Sequence, residues 1–384
     1  MERPEELAVG RRLLDHVHGR TTDLADAMLR NHVSAYFCRD RARLERDRLF
    51  RDQPIFMGLA ARLARPGDYL AEDVAGLPVL MTRGADGRVN AFANICRHRG
   101  APVAQGCGNA RAFVCPYHGW TYDLSGRLLG TTDKVGFAGV DLASHGLPRL
   151  PAAERHGMLF VRPRPVQAGE TDEIDIDSHL DTLAADLAAM RLDTYSMFSA
   201  DRVGPRINWK VSIDTFLESY HIPYLHGKTV APYFVGNCGT FDAAGRHGRL
   251  CFALPSLEDL RGVPEVERDY RGHFFPIYQL FPNTILIWQS DHLQFWRAFP
   301  ARDDAGRCEV EMTIYRPADS DKSDADMQES RELIIRTVME EDFPLSERMQ
   351  TGFESGGVDD VIYGRNEPAL VHFHASIRDA LGAG

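Results

Sequence analysis

Asn94 to Tyr122 reads NICRHRGAPVAQGCGNARAFVCPYHGWTY. It holds Cys96-x-His98 and, after sixteen residues, Cys115-x-x-His118. Each pair lies in a stretch built for a loop. Arg99-Gly100 and Ala101-Pro102 follow the first pair, and Pro116 and Gly119 bracket the second. Two thiolates and two imidazoles on two loop tips can face one object. Two Cys and two His make a structural zinc set, but a zinc finger pairs Cys with Cys and His with His. Here each loop brings one of each. A [2Fe–2S] cluster accounts for the mixing, with both thiolates on one iron and both imidazoles on the other. Neutral imidazole in place of thiolate raises the cluster potential.

C-x-H-R-G followed by C-P-Y-H-G-W-x-Y resembles the Rieske signature of the ring-hydroxylating oxygenases. The resemblance implies that Cys96, His98, Cys115 and His118 hold the cluster.

Outward from this stretch, short strands with turns are predicted from about Pro54 to Arg162, with turns at Ala85-Asp86-Gly87 and Leu124-Ser125-Gly126. They describe a small antiparallel β domain. Cys107, between Gly106 and Gly108, reads as a loop tip and is left out of the ligand set. Upstream, residues 1–50 read as helical, with Thr21-Thr22-Asp23 capping a helix through Val33 and a second helix from Asp40 to Phe50. Downstream, the acidic run Glu170 to Asp177 reads as a linker, and His179 to Met190 as one amphipathic helix. Further strands run from Asp201 to Tyr315, then a long helix from Glu329 to Thr351 and a helical tail from Pro368 to Ala380. Strands followed by helices make an α+β class. The expected division is 1–50 as an N-terminal helical segment, 51–165 as the Rieske domain and 166–384 as the catalytic domain. The resemblance implies a helix-grip, START-like fold for the last.

The second chemical stretch is Asn208 to His226, NWKVSIDTFLESYHIPYLH. Asp214, Glu218 and His221 fall at i, i+4 and i+7, which predicts one helical face. Pro223 is expected to end or kink that helix, and His226 to return to the same point from the next turn. Two imidazoles and a carboxylate on one face of a non-haem iron leave positions open for O₂. The stretch is similar to the N-W-K…E-x-Y-H-x4-H element of the same oxygenase family. That similarity makes His221 and His226 iron ligands. It makes Glu218 the carboxylate that joins the iron site to a Rieske histidine, here His118 of a neighbouring subunit in a homotrimer. Many members have Asp at this place; Glu is a departure. Asp214 is carried as a further catalytic candidate. Met339-Glu340-Glu341-Asp342-Phe343 matches the family's E-D element, so Asp342 is the expected third ligand and Glu341 the alternative.

The resemblance implies a terminal oxygenase that takes O₂ and electrons from NAD(P)H through a separate flavin reductase, with or without a ferredoxin. No Gly-rich dinucleotide fingerprint stands in the chain itself. Residues flanking the iron motif (Phe216, Leu217, Ile222, Leu225, Tyr233, Phe234) and on the later strands (Tyr278, Ile285, Ile287, Trp288, Phe295, Trp296) are candidates to line an apolar cavity. That favours an aromatic or other small hydrophobic substrate. Oxidative demethylation of a quaternary amine or an N- or O-methyl compound is the alternative, and a non-catalytic electron carrier is a further one.

The chain's 384 residues, 44% hydrophobic and 26% charged, suit a chain with a sizeable core. The formal charge of −11 disfavours nucleic acid and anionic membranes as partners and is compatible with steering a basic patch on a reductase. The charged start MERPEELAVGRR lacks an apolar signal core. With seven widely spaced cysteines, it leads to the expectation of a cytoplasmic protein with no disulfide framework.

Overall fold

A computed structural model describes residues 1, 3–289 and 291–382. The chain forms two compact units, Arg46–His179 on the one hand and Met1–Glu45 with Leu180–Gly384 on the other.

The smaller unit is built from antiparallel strands. A five-stranded sheet runs in the order Arg149–Leu150, Val89–Ala93, Leu77–Arg83, Asp68–Val74, Gly106–Asn109. A three-stranded sheet joins Ala152–Arg155, Met158–Val161 and Ile55–Leu59, and a second joins Ala112–Val114, Thr121–Asp123 and Leu128–Gly130. Gly106–Asn109, expected as a loop tip, is an edge strand paired with Asp68–Ala71. All four of its residues are exposed, so no apolar alternation announces it in the sequence. The acidic stretch is more than a solvated linker. Asp172 lies 2.5 Å from Arg149, and Asp177 takes hydrogen bonds from Arg155 and, at 2.6 Å, from His156.

The larger unit carries a seven-stranded antiparallel sheet. Its order is Tyr195–Val203, Cys308–Pro317, Leu293–Pro300, Thr284–Trp288, Phe274–Leu280, His247–Ala253, Gly239–Ala244. The first strand starts earlier than the expected Asp201, because its pairing with Cys308–Pro317 begins at Tyr195. After the sheet, Asp324–Ile335 and Phe343–Glu354 are α-helical, and the π-helical segment Arg336–Asp342 joins them. The expected helix from His179 to Met190 is two helices, Ile176–Leu180 and Leu183–Ala189, separated where Asp181 turns left-handed at φ 54°.

The N-terminal reading needs a correction. The helix is Arg3–Gly19, and Thr22 and Asp23 cap nothing. Thr22 hydrogen-bonds to Gly239 O at 3.0 Å, and Asp23 accepts from Phe241 N at 2.9 Å. Leu29–His32 is a strand paired with Asp360–Tyr363. A strand partner more than 300 residues away in sequence overrides the local helical periodicity.

Within the larger unit, a buried ion pair helps tie residues 1–45 to the rest. Glu45 lies 2.8 Å from Lys210 Nζ and takes a 2.9 Å hydrogen bond from Trp209 Nε1. Lys210 is fully buried and Glu45 nearly so. Removing one partner strands a charge in the interior, which costs about 3–5 kcal/mol. Glu45→Ala is therefore expected to lower unfolding stability in denaturant by that amount. Glu45→Ala with Lys210→Met should recover much of the loss, since no bare charge remains. A single variant as stable as wild type would show that water reaches the pair.

Candidate functional site

The two ligand loops of the smaller unit have the same backbone. Gly100 N donates to Cys96 O at 2.9 Å, and Gly119 N donates to Cys115 O at 3.0 Å. Cys96 N donates to Ala101 O, and Cys115 N to Trp120 O, both at 2.8 Å. Gly100 and Gly119 both have φ in the left-handed region, at 81° and 68°, which favours glycine. The Cys-to-His spacing differs between the loops, but the Cys-to-Gly spacing is the same, and that spacing sets the turn. Asn94 braces the first loop by accepting from Val103 N at 2.9 Å and donating to Ala104 O at 2.8 Å.

Cys96 and Cys115 are buried and form no disulfide. The His98 and His118 rings lie 4.5 Å apart, and His98 stacks on Trp120 at 5.2 Å. His98 Nδ1 is buried without a hydrogen-bond partner among the described residues. A buried bare nitrogen beside two thiols fits a cluster ligand, since a buried polar atom otherwise requires a partner. Tyr122, the last residue of the C-P-Y-H-G-W-x-Y motif, touches this site. Its hydroxyl lies 3.4 Å from Cys96 Sγ and accepts from Arg97 N at 3.0 Å.

In the larger unit, the one-face helix expected over 214–221 does not exist. Trp209–Asp214 is a helix capped by Asn208, whose side chain accepts from Lys210 N at 3.0 Å. The chain then leaves helical geometry. His221 caps a separate short helix, Ile222–Leu225, and Pro223 lies in its first turn. Pro223 begins a helix rather than ending one, because a first-turn N–H has no intrahelical acceptor to lose. His226 closes that helix. The short helix Ile222–Leu225 brings His221 and His226, at its two ends, together, with ring centroids 5.2 Å apart.

Asp342 enters from the π-helical segment, a geometry frequent at functional sites. His221, His226 and Asp342 each offer one ligand atom within 4.8 Å of the others. His226 Nε2 is 3.0 Å and His221 Nε2 is 3.8 Å from Asp342 Oδ1. The opposite ring nitrogens are taken by other carboxylates. Glu341 Oε2 lies 2.6 Å from His226 Nδ1 and also accepts from Thr229. Glu218 hydrogen-bonds to His221 Nδ1 and accepts from His221 N at 3.0 Å. Such partners fix which imidazole nitrogen is free for a metal. Glu341, the alternative ligand, thus lies on the far side of His226. Burial raises the Asp342 carboxyl, and the contact with His226 offsets this only in part. Burial would depress His226, but Asp342 and Glu341 outweigh it and raise the imidazole. A buried acid beside two imidazoles suits a divalent cation better than protons alone.

Asp214 stands apart from this set. Its carboxylate faces His374 Nε2 at 2.8 Å and the Tyr363 hydroxyl at 3.0 Å, in a buried cluster with Asn31 and Tyr36. With the helix broken after Asp214, the shared face that made it a candidate is lost.

A cavity of about 640 Å³ opens beside His221, His226 and Asp342, lined by the sheet and by the helical stretch from Leu333 to Asp342. Strand register sets one wall: Phe252 pairs with Phe275, Ile277 with Ile287, and Ile287 with Gln294. Leu333 and Val338 supply the helical wall. Of the residues predicted from sequence, Phe216, Ile222, Tyr233, Phe234 and Ile287 line it; Leu217, Leu225, Tyr278, Ile285, Trp288, Phe295 and Trp296 are not among its lining residues.

A Cys–His loop pair in one unit and a two-His-one-Asp set beside an apolar cavity in the other fit a protein of two metal cofactors. The chain belongs to the ring-hydroxylating α-subunit family: residues 192–383 match its catalytic domain, and residues 54–140 match the Rieske [2Fe-2S] domain. The cofactors of this family are a [2Fe–2S] cluster and a mononuclear non-haem iron. The chain is 33% identical over 184 residues to the glycine betaine monooxygenase oxygenase subunit of Chromohalobacter salexigens, covering 48% of this chain and 40% of that protein. It is 26% identical over 346 residues to the chloroplastic choline monooxygenase of Arabidopsis thaliana, covering 88% and 79%. The fold matches the quaternary ammonium Rieske monooxygenase CntA in complex with L-carnitine at a TM-score of 0.78, with 21% identity over 94% of this chain and 97% of that one. No described helix is long and apolar enough to cross a membrane.

Proposed function

We propose that this chain is a terminal oxygenase that hydroxylates a small, uncharged hydrophobic molecule, aromatic compounds included. The observation that carries the reading is the cavity. It adjoins His221, His226 and Asp342, and its remaining wall is largely Phe, Ile, Leu and Val, with neither Arg nor Lys among the described lining residues. When bound, the cluster supplies single electrons and the mononuclear iron supplies O₂ reduction. The ligand set would be Cys96, His98, Cys115 and His118 for the first and His221, His226 and Asp342 for the second. Glu218 and Glu341 hold the two imidazoles with Nε2 toward Asp342. The apolar wall strips water from the substrate and confines it near the ligands.

Electrons would come from NAD(P)H through a separate flavin reductase, with or without a ferredoxin. In the proposed homotrimer His118 of one subunit meets Glu218 of its neighbour. Inter-subunit electron transfer is described for a quaternary ammonium Rieske monooxygenase of this fold. Both Glu218 and His221 are partly exposed, which leaves them reachable.

A second reading is oxidative demethylation of a quaternary amine. Phe234 meets Phe275 at 5.1 Å and 88°, a corner of aromatic faces that would attract a methylammonium group. The absence of a described basic lining residue then favours choline over glycine betaine, because a buried carboxylate would lack a partner.

The deciding experiment supplies reduced holoenzyme and ¹⁸O₂ with naphthalene, choline or glycine betaine. The expected outcome is labelled hydroxylated naphthalene and no formaldehyde. Formaldehyde from choline, with naphthalene untouched, would replace the first reading by the second. Turnover of glycine betaine alone would overturn the argument from the wall.

A further inference from the structure

We infer that Gln294 sets substrate specificity by presenting one amide handle in this cavity, and that His292 and Asp291 lock its orientation. The inference rests on the apolar-substrate reading and narrows it. The substrate is a hydrophobic molecule carrying a single hydrogen-bonding group such as a ketone or hydroxyl.

Gln294 lines the cavity and is almost fully buried. Its amide is gripped at both ends. Gln294 Nε2 lies 3.2 Å from His292 Nε2, and Gln294 Oε1 accepts from Trp296 Nε1 at 3.4 Å. His292 is itself buried, with Nδ1 2.7 Å from Asp291 Oδ1. Asp291 is held in turn by Lys322 at 2.5 Å. The donors and acceptors permit one arrangement. Asp291 accepts, so His292 Nδ1 carries the proton and Nε2 is bare. The bare nitrogen takes an N–H from Gln294. An indole N–H only donates, so it must meet the amide oxygen. A reversed amide would set donor against donor at Trp296 and acceptor against acceptor at His292.

A primary amide has two N–H donors and an oxygen with two lone pairs. His292 and Trp296 use one of each. One donor and one acceptor remain on a wall otherwise made largely of apolar side chains. Three of the hydroxyls on the wall are committed elsewhere: Thr215 donates to Val211 O at 3.1 Å, Thr337 donates to Leu333 O at 2.8 Å, and Ser256 Oγ lies 3.1 Å from His273 Nδ1. Gln289, the other amide on the wall, is only half-buried and stands past the end of its strand. Neither Asp291 nor His292 lines the cavity, so their role is to position Gln294.

The test compares two ligands of nearly equal size, 1-indanone and indane, by anaerobic calorimetry on the reduced holoenzyme. Wild type is expected to bind 1-indanone more tightly by about tenfold, the effect of one buried hydrogen bond made rather than missed. Gln294→Leu, and Gln294→Met as a second variant of similar length, should erase the preference. His292→Phe should reduce it while leaving indane affinity unchanged. A merely structural role for His292 would instead weaken both ligands alike. Iron and sulfide content reports whether each variant is intact. No preference in wild type, or a preference surviving both Gln294 variants, overturns the inference and leaves the apolar reading standing. Binding of neither ligand by wild type overturns both.

Discussion

Replacing Asp342 with alanine is expected to remove the mononuclear iron and stop turnover while the visible spectrum of the cluster persists. Iron should fall from about three atoms per chain to about two, with two labile sulfides throughout, since a cluster carries about two irons and the triad one. The geometry allows no substitute. Asp342 is the carboxylate that faces both His226 Nε2 and His221 Nε2. Glu341 follows the same helix but is held on the Nδ1 side of His226 by that nitrogen and by Thr229. Reaching Nε2 would require it to leave both partners and cross the ring. Two neutral imidazoles alone bind a divalent ion weakly, because the charge that offsets the ion is gone. Iron analysis, sulfide analysis and the visible spectrum on one preparation check this. Full iron in Asp342→Ala would mean that Glu341 swings round to serve as the ligand. Loss of the cluster as well would mean that Asp342 supports the whole chain rather than one site.

Glu218→Gln is expected to keep both metal centres and to lower turnover by about 10–100-fold or more, the range for a carboxylate that orients a ligating histidine. Glutamine keeps the shape and can still accept from His221 N. It loses the negative charge beside His221 Nδ1, which raises the basicity of the ligand and fixes its ring. If Glu218 also joins two subunits, the defect lies in delivery of electrons. Chemically pre-reduced protein should then show the cluster still reduced after substrate and O₂ are added. Mixed oligomers give the sharper reading. A subunit with Cys96→Ser lacks a cluster but keeps Glu218, and a Glu218→Gln subunit keeps its cluster. Co-assembled, the cluster of the second faces the intact iron site of the first, and part of the activity should return. No recovery in such mixtures would confine transfer to one subunit. Unchanged turnover in Glu218→Gln would remove the residue from the mechanism.

Each part of the site was readable to a different depth. Cys96, His98, Cys115 and His118 stand within one stretch, and glycines close both of their loops. Local chain stiffness and left-handed turns are properties of short segments, so spacing alone could express them. Tyr122 closes the quoted motif but was given no role, because a tyrosine in the middle of a short strand looks like core until its hydroxyl is seen on Cys96. A weak signal was present: a polar tip with nowhere polar to go in a buried β unit. His221 and His226 were legible as a pair, but the reason given for their meeting was wrong. The predicted helix face dissolves after Asp214, and the separate short helix Ile222–Leu225 sets the two imidazoles at its ends. Asp214 was drawn in by that face and belongs instead with His374 and Tyr363. No periodicity in the sequence distinguishes a helix that continues from one that stops when tertiary hydrogen bonds offer a better exchange.

From the sequence come the α+β class, the two stretches that carry the Cys–His pairs and the His–His pair, and most of the strands. These depend on residue type, short spacing and period, which neighbours in the chain can express. The tertiary structure alone decided the rest. It put Glu341 and Asp342 on opposite nitrogens of His226. It paired Leu29–His32 with Asp360–Tyr363 against the helical pattern. It also selected which faces of the sheet line the cavity, and so gave Gln294 its place. The physical reason is common to all three. Each outcome depends on groups far apart in sequence, and the free energy that joins them exists only once the chain has closed around them.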